Sequence, residues 1–179
     1  MLSGIGRLNS LGYFYVAMRI LFRKFTAKPS TLSCIRVDGS MTWTPLHPGT
    51  EGHDLAHFAV EKVMGFQKAF YGLLSEGFEI QDFELPKEKR PKALWPKNLS
   101  QEALVTEHLV NLLTISSLDT QGDFDLLATL VPILDSNALE LPTGLDHRQC
   151  SEIQREFSVL WGQWVALQPG ATLELHFPE

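Results

Sequence analysis

The chain has 179 residues, 44% of them hydrophobic and 20% charged, which excludes a disordered or fibrous protein and suffices for one domain with a substantial core. No uninterrupted apolar run approaches the ~20 residues that a helix needs to cross a bilayer. Six of the 15 Lys and Arg fall in residues 1–37, where there is no acid, leaving nine basic against 21 acidic side chains and a net charge of −12 in residues 38–179. Such an acidic body argues against general nucleic-acid binding.

Ser10 can cap a predicted helix in which Leu11, Phe14, Met18, Leu21, Phe22 and Phe25 follow helical spacing while Arg19 and Arg23 project elsewhere. Residues 1–30 are thus expected as a basic amphipathic segment ahead of a single domain over 31–179. Its functional readings are a membrane-surface helix or a transit sequence; its structural reading is a terminal helix docked on the core. Leu32–Val37 and Met41–Thr44 flank Asp38-Gly39-Ser40 and predict a β-hairpin. A three-residue connection with Gly39 in a bulge, setting Val37 opposite Met41 and Ile35 opposite Trp43, gives one apolar face and leaves Arg36 and Thr42 on the other.

Two prolines and a glycine in Thr44-Pro45-Leu46-His47-Pro48-Gly49 force a turn. Thr50 can then cap a long helix over about 51–75, with Glu51 and Asp54 suited to its positive start and Gly77 to its stop. A short extended piece, Phe78–Phe83, and an irregular basic loop over 86–97 follow, the loop held to the body by Trp95. Helices are expected over about 100–117, 123–134 and 144–167, with Pro132 kinking or ending the second. Leu173, Leu175 and Phe177 alternate with Thr172, Glu174 and His176 in a predicted half-buried terminal strand. The expected class is α+β: a small antiparallel sheet, made of the N-terminal hairpin plus the C-terminal strand, packed against about four to five helices.

Cys34 and Cys150 form no paired framework, which points to a reducing, cytoplasmic setting. The chemically unusual stretch is Gly52-His53-Asp54-Leu55-Ala56-His57-Phe58-Ala59-Val60-Glu61. Steps of four advance about 40° around a helix, so His53, His57 and Glu61 share a face. Two imidazoles and a carboxylate are a ligand set that zinc or ferrous iron accepts while keeping positions open for water. Histidines one turn apart can chelate one ion, whereas Glu61 lies about 12 Å along the axis from His53. Either Glu61 accepts the distal N–H of His57, or a third ligand comes from elsewhere: His47 before the helix, or Glu107 or His108 on the later one.

The HDLAH stretch resembles in its spacing the zincin motif, over five residues. In that family the two histidines bind zinc and a glutamate between them activates water. The resemblance therefore implies His53 and His57 as ligands and Asp54, one methylene shorter than that glutamate, as the base. His53-Asp54 is also similar to the HD phosphohydrolase dipeptide, a family that needs another upstream histidine at a greater separation than His47 and a distant aspartate.

A wheel over 51–75 centres an apolar stripe on Leu55, Ala59, Val63, Phe66, Phe70 and Leu74, with His53, His57, Glu61 and Lys68 mostly opposite, predicting a polar face outside the main core. Gly65 and Gly72 beside that face would let another backbone approach closely. Two functions follow. One is a small zinc- or iron-dependent hydrolase in which Asp54 or Glu61 assists a bound water. The other is a non-catalytic domain binding a small molecule or a protein, or forming a homodimer through the glycine stripe.

Overall fold

The computed structural model describes residues 17–116 and 124–178. Four strands, β1 (Ala17–Arg23), β2 (Thr31–Ile35), β3 (Met41–Pro45) and β4 (Thr172–Pro178), form an antiparallel sheet of order β3-β2-β1-β4. Among the described residues there are six α-helices: α1 (Glu51–Met64), α2 (Phe70–Ser75), α3 (Ile80–Glu84), α4 (Gln101–Ser116), α5 (Leu126–Ser136) and α6 (His147–Ala166). Two 3₁₀ turns, Lys92–Leu94 and Pro96–Asn98, punctuate the basic loop, whose buried anchor is Leu94 while Trp95 is half-buried between Lys87 and Lys97. This is a small α+β fold. Among the described residues no helix is long and apolar enough to cross a membrane.

The N-terminal helix is corrected over its described part. Residues 17–23 are an inner strand, with Met18, Ile20 and Phe22 fully buried and Arg19 and Arg23 on the open face. Arginines four apart share a face in a helix and in a strand alike, so they could not discriminate; the two-residue alternation of Met18, Ile20 and Phe22 does. Burying three such side chains is worth about 1.5–3 kcal/mol each. The part of that helix expected over 10–16 lies outside the described residues. At the far end of β1, the Lys24 ammonium donates to the carbonyls of Trp164 and Val165, where the α6 C-terminus favours a cation.

The hairpin register differs from the expected closure. Ile35 pairs with Met41, Cys34 with Thr42 and Ser33 with Trp43; Val37-Asp38-Gly39 form the loop, closed by Arg36 N–H donating to the Ser40 carbonyl, with Gly39 at φ 86°. A two-residue shift keeps each side chain on its expected face, but it is the opposite face that packs on the core. Val37, Met41 and Trp43 are 51%, 53% and 50% exposed, whereas Thr42 and Arg36 are buried. Arg36 can sit inside because its guanidinium donates to the carbonyls of Leu74 and Phe78 and to Ser40 Oγ, and pairs with Glu79. A buried charge is tolerated only when its donors are satisfied in this way.

The long helix expected over 51–75 is two helices. Gly65, at φ 66°, ends α1 in the left-handed conformation, and its N–H and that of Phe66 both return to the Glu61 carbonyl. The chain doubles back and α2 begins at Phe70. Thr50 does not cap α1 through its side chain; its hydroxyl donates to the His47 carbonyl instead. The extended piece over 78–83 is largely α3, with Asp82 accepting from the Glu79 N–H at its start. Pro132 lies inside α5, which continues to Ser136.

Helix α1 packs between α4 and α6 and also touches β4 and α2. Covered on several sides, it is buried at every position from Leu55 to Glu61. The face carrying His57 and Glu61 is thus interior, not the polar outer face that the single-helix wheel predicts. The wheel misled because it assumes one covered face, whereas α1 is enclosed by α4, α6, α2 and β4.

Candidate metal centre

The α1–α4 contact brings Glu107 across to the two histidines. One ligand atom from each of His53, His57 and Glu107 lies within 4.8 Å of the others, the one such group of three or more His, Cys, Asp or Glu among the described residues. The rings of His53 and His57 have centroids 4.8 Å apart, and His57 Nε2 is 3.5 Å from Glu107 Oε1. His57 is buried, while the side chains of His53 and Glu107 are 41% and 50% exposed, so solvent reaches the group through those two side chains.

Each histidine turns its other nitrogen to a carboxylate of its own. His57 Nδ1 lies 3.4 Å from Glu61 Oε1, and His53 Nδ1 lies 3.6 Å from Asp54 Oδ1. For His57 this leaves Nε2, the atom facing Glu107, for a ligand. A carboxylate behind an imidazole is the arrangement that fixes tautomer and ring direction in metal sites. Asp54 and Glu61 thus sit behind the histidines, while His47 and His108 are not part of the converging group. His47 is exposed before α1; His108, next to Glu107 but about 100° around α4, is half-buried.

Glu61 is held from its far side by α2. Its Oε2 accepts from the N–H groups of Tyr71 at 2.9 Å and Gly72 at 3.1 Å. These are the free donors of a helix start, well matched to a carboxylate. Gly72 is required by that packing: a Cβ there would fall 2.2 Å from the Gln67 carbonyl oxygen. The backbone that approaches this glycine is the chain's own. The sequence offered one signal for this arrangement, Gly65 as a stop in mid-helix; nothing in it indicated that Tyr71 and Gly72 would bind Glu61.

Burial sets the protonation of the group. Desolvation, with Phe70 5.3 Å from the His57 ring centroid, lowers the His57 imidazole to about 4, so it is neutral at physiological pH. Glu61 is raised well above the ordinary carboxylate range by burial, against which the Gly72 and Tyr71 N–H groups pull down. His53 is raised by its contact with Asp54. His57 Nδ1 and Glu61 Oε1 are both buried and neither makes a well-formed hydrogen bond. Such orphaned pairs in a folded interior are uncommon and call for a physical reason.

The donor set suits a divalent ion. A tetrahedral zinc with bonds of about 2.0–2.1 Å needs ligand atoms about 3.4 Å apart. The present spacing of up to 4.8 Å is wider than that, so binding would require His53 and Glu107, the two part-exposed members, to move toward the buried His57. The two cysteines are far from this chemistry in character: both are free and buried, and burial raises the Cys34 thiol well above its ordinary range and Cys150 to about 11. Comparison with protein-family models, with curated proteins and with solved structures finds no significant match.

Proposed function

We propose that the protein is a metal-dependent hydrolase that holds one zinc or ferrous ion on His53, His57 and Glu107. The observation that carries this reading is the convergence of these three side chains, each histidine backed by a carboxylate on Nδ1. Two imidazoles and one carboxylate leave a coordination position for water or substrate. When bound, the ion would supply Lewis acidity and an activated water. The chain's own contributions are distinct. Neutral, buried His57 gives an anchor that need not lose a proton to bind. Exposed His53 and Glu107 form the mouth through which a small hydrophilic substrate would enter, and Asp54 and Glu61 orient the imidazoles. In this reading Asp54 serves His53 in place of the base role that the zincin resemblance implies, because its carboxylate faces the imidazole. A cytoplasmic setting accords with the two free, buried thiols.

The test is elemental analysis and calorimetric zinc titration of protein purified without a histidine tag, together with turnover of p-nitrophenyl acetate and p-nitrophenyl phosphate. The expected result is about one zinc or iron per chain, binding weakened at least tenfold by His57→Ala or Glu107→Ala, and hydrolysis that needs the metal. Protein that takes up no metal and is unmoved by zinc or chelator would overturn the reading; a metal-loaded protein without turnover would retain the site and remove the hydrolase.

A further inference from the structure

The two unpaired atoms behind the site, His57 Nδ1 and Glu61 Oε1, are both buried and face each other at 3.4 Å. The same carboxylate holds the first turn of α2 through Tyr71 and Gly72. That turn is reached by a tight reversal at Gly65–Ala69, so close that Gly72 leaves no space for a Cβ beside Gln67. One side chain therefore touches the candidate ligand with one oxygen and a separate helix with the other.

We propose that Glu61 is a positioning residue that couples occupancy of the His53–His57–Glu107 site to the docking of α2, an inference that rests on the metal reading. An ion on His57 Nε2 requires the proton on Nδ1, and the atom facing Nδ1 is Glu61 Oε1. That bond draws the carboxylate into a fixed orientation between the imidazole and the two backbone donors. Release of α2 removes two donors from the carboxylate, loosens its hold on Nδ1–H and weakens the site. By linkage, an ion at the site opposes release of α2 to the same degree.

Glu61→Gln separates this role from plain structural support. The two N–H groups of Tyr71 and Gly72 fix the amide oxygen where Oε2 now lies, because the alternative sets donors against donors. The amide NH₂ then points at His57 Nδ1, which must accept, and the imidazole proton moves to Nε2. The helix attachment is kept and the ligand lone pair is lost.

The experiment is zinc calorimetry and amide hydrogen exchange on the full chain, wild type and Glu61→Gln, with the His57 tautomer read from ¹⁵N NMR. In the wild type, zinc at 100 times its Kd is expected to slow exchange at the Tyr71 and Gly72 amides by up to about 100-fold, while α5 amides that exchange by local opening are unchanged. In Glu61→Gln, zinc is expected to bind about 10–100-fold more weakly with the metal-free imidazole protonated on Nε2. Zinc binding to the wild type without slowing at Tyr71 and Gly72 overturns the coupling, and needs no variant to fold. Equal zinc affinity in folded Glu61→Gln overturns the positioning role and leaves the metal reading standing, whereas a wild type that binds no zinc removes both.

Discussion

Gly72→Ala tests the geometry that holds the site together. The added Cβ would meet three backbone atoms of Gln67, its oxygen at 2.2 Å, its carbonyl carbon at 2.3 Å and its Cα at 2.9 Å. None of these can move by rotating a side chain. Restoring ordinary contact requires a shift of about 1 Å between α2 and the preceding connection. The Tyr71 and Gly72 N–H groups lie 2.9 and 3.1 Å from Glu61 Oε2, and a shift of that size breaks or bends both bonds. Leaving a buried donor or acceptor unpaired costs about 1–3 kcal/mol per bond, so the expected loss is about 2–6 kcal/mol for the two, a large fraction of the stability of an ordinary domain. Urea denaturation followed by tryptophan fluorescence measures it. Gly162→Ala is the control: that position in α6 has nothing within 4 Å of its Cβ, and the variant is expected to gain up to about 1 kcal/mol. A Gly72→Ala protein within 0.5 kcal/mol of wild type would refute the reasoning, since backbone crowding of this degree cannot be neutral.

Arg36→Met removes the donors to the Leu74 and Phe78 carbonyls while keeping a side chain of similar length, and is expected to cost about 3 kcal/mol by denaturation. A neutral result would show that the inward guanidinium contributes nothing to the sheet–helix joint. By NMR titration His57 should stay neutral to about pH 4, while His53 titrates above its ordinary range. Because the folded His57 value lies below the unfolded one of about 6.5, its share of the stability is fully present above pH 6.5. It is lost as pH falls toward 4, by about 3 kcal/mol in all. Glu61, raised by burial, works in the opposite direction. Stability curves of wild type and His57→Gln, subtracted from one another, isolate the histidine; a difference flat between pH 7 and 4 would contradict its burial as the cause.

The sequence carried the α+β class because the strand β4 and the helices α4, α5 and α6 each show a period that no neighbour overrides. It misled where two periods fit the same residues. Arg19 and Arg23 satisfied both a helix and a strand, and the expected hairpin closure placed Arg36 outside, since an arginine is ordinarily solvated. Its inward position depends on carbonyls from α2 and the α2–α3 connection that sequence spacing cannot bring near. In the site, helical spacing was enough to place His53 and His57 together and to set Glu61 too far along the axis from His53 for a straight helix to close all three on one ion readily. Choosing Glu107 over its neighbour His108 and over His47 required the crossing of α1 on α4, a tertiary fact. Burial of His57 and Glu61 was hidden because a helical wheel cannot show that α1 is covered on more than one side.

The most direct measurement is a crystal structure of the untagged protein grown with zinc, with anomalous differences collected above and below the zinc edge. One peak is expected about 2.0–2.2 Å from a nitrogen of His53, Nε2 of His57 and a carboxylate oxygen of Glu107, with Glu61 Oε1 within hydrogen-bond distance of His57 Nδ1. A zinc peak elsewhere on the chain, or none at a zinc concentration that saturates ordinary sites, would contradict that expectation.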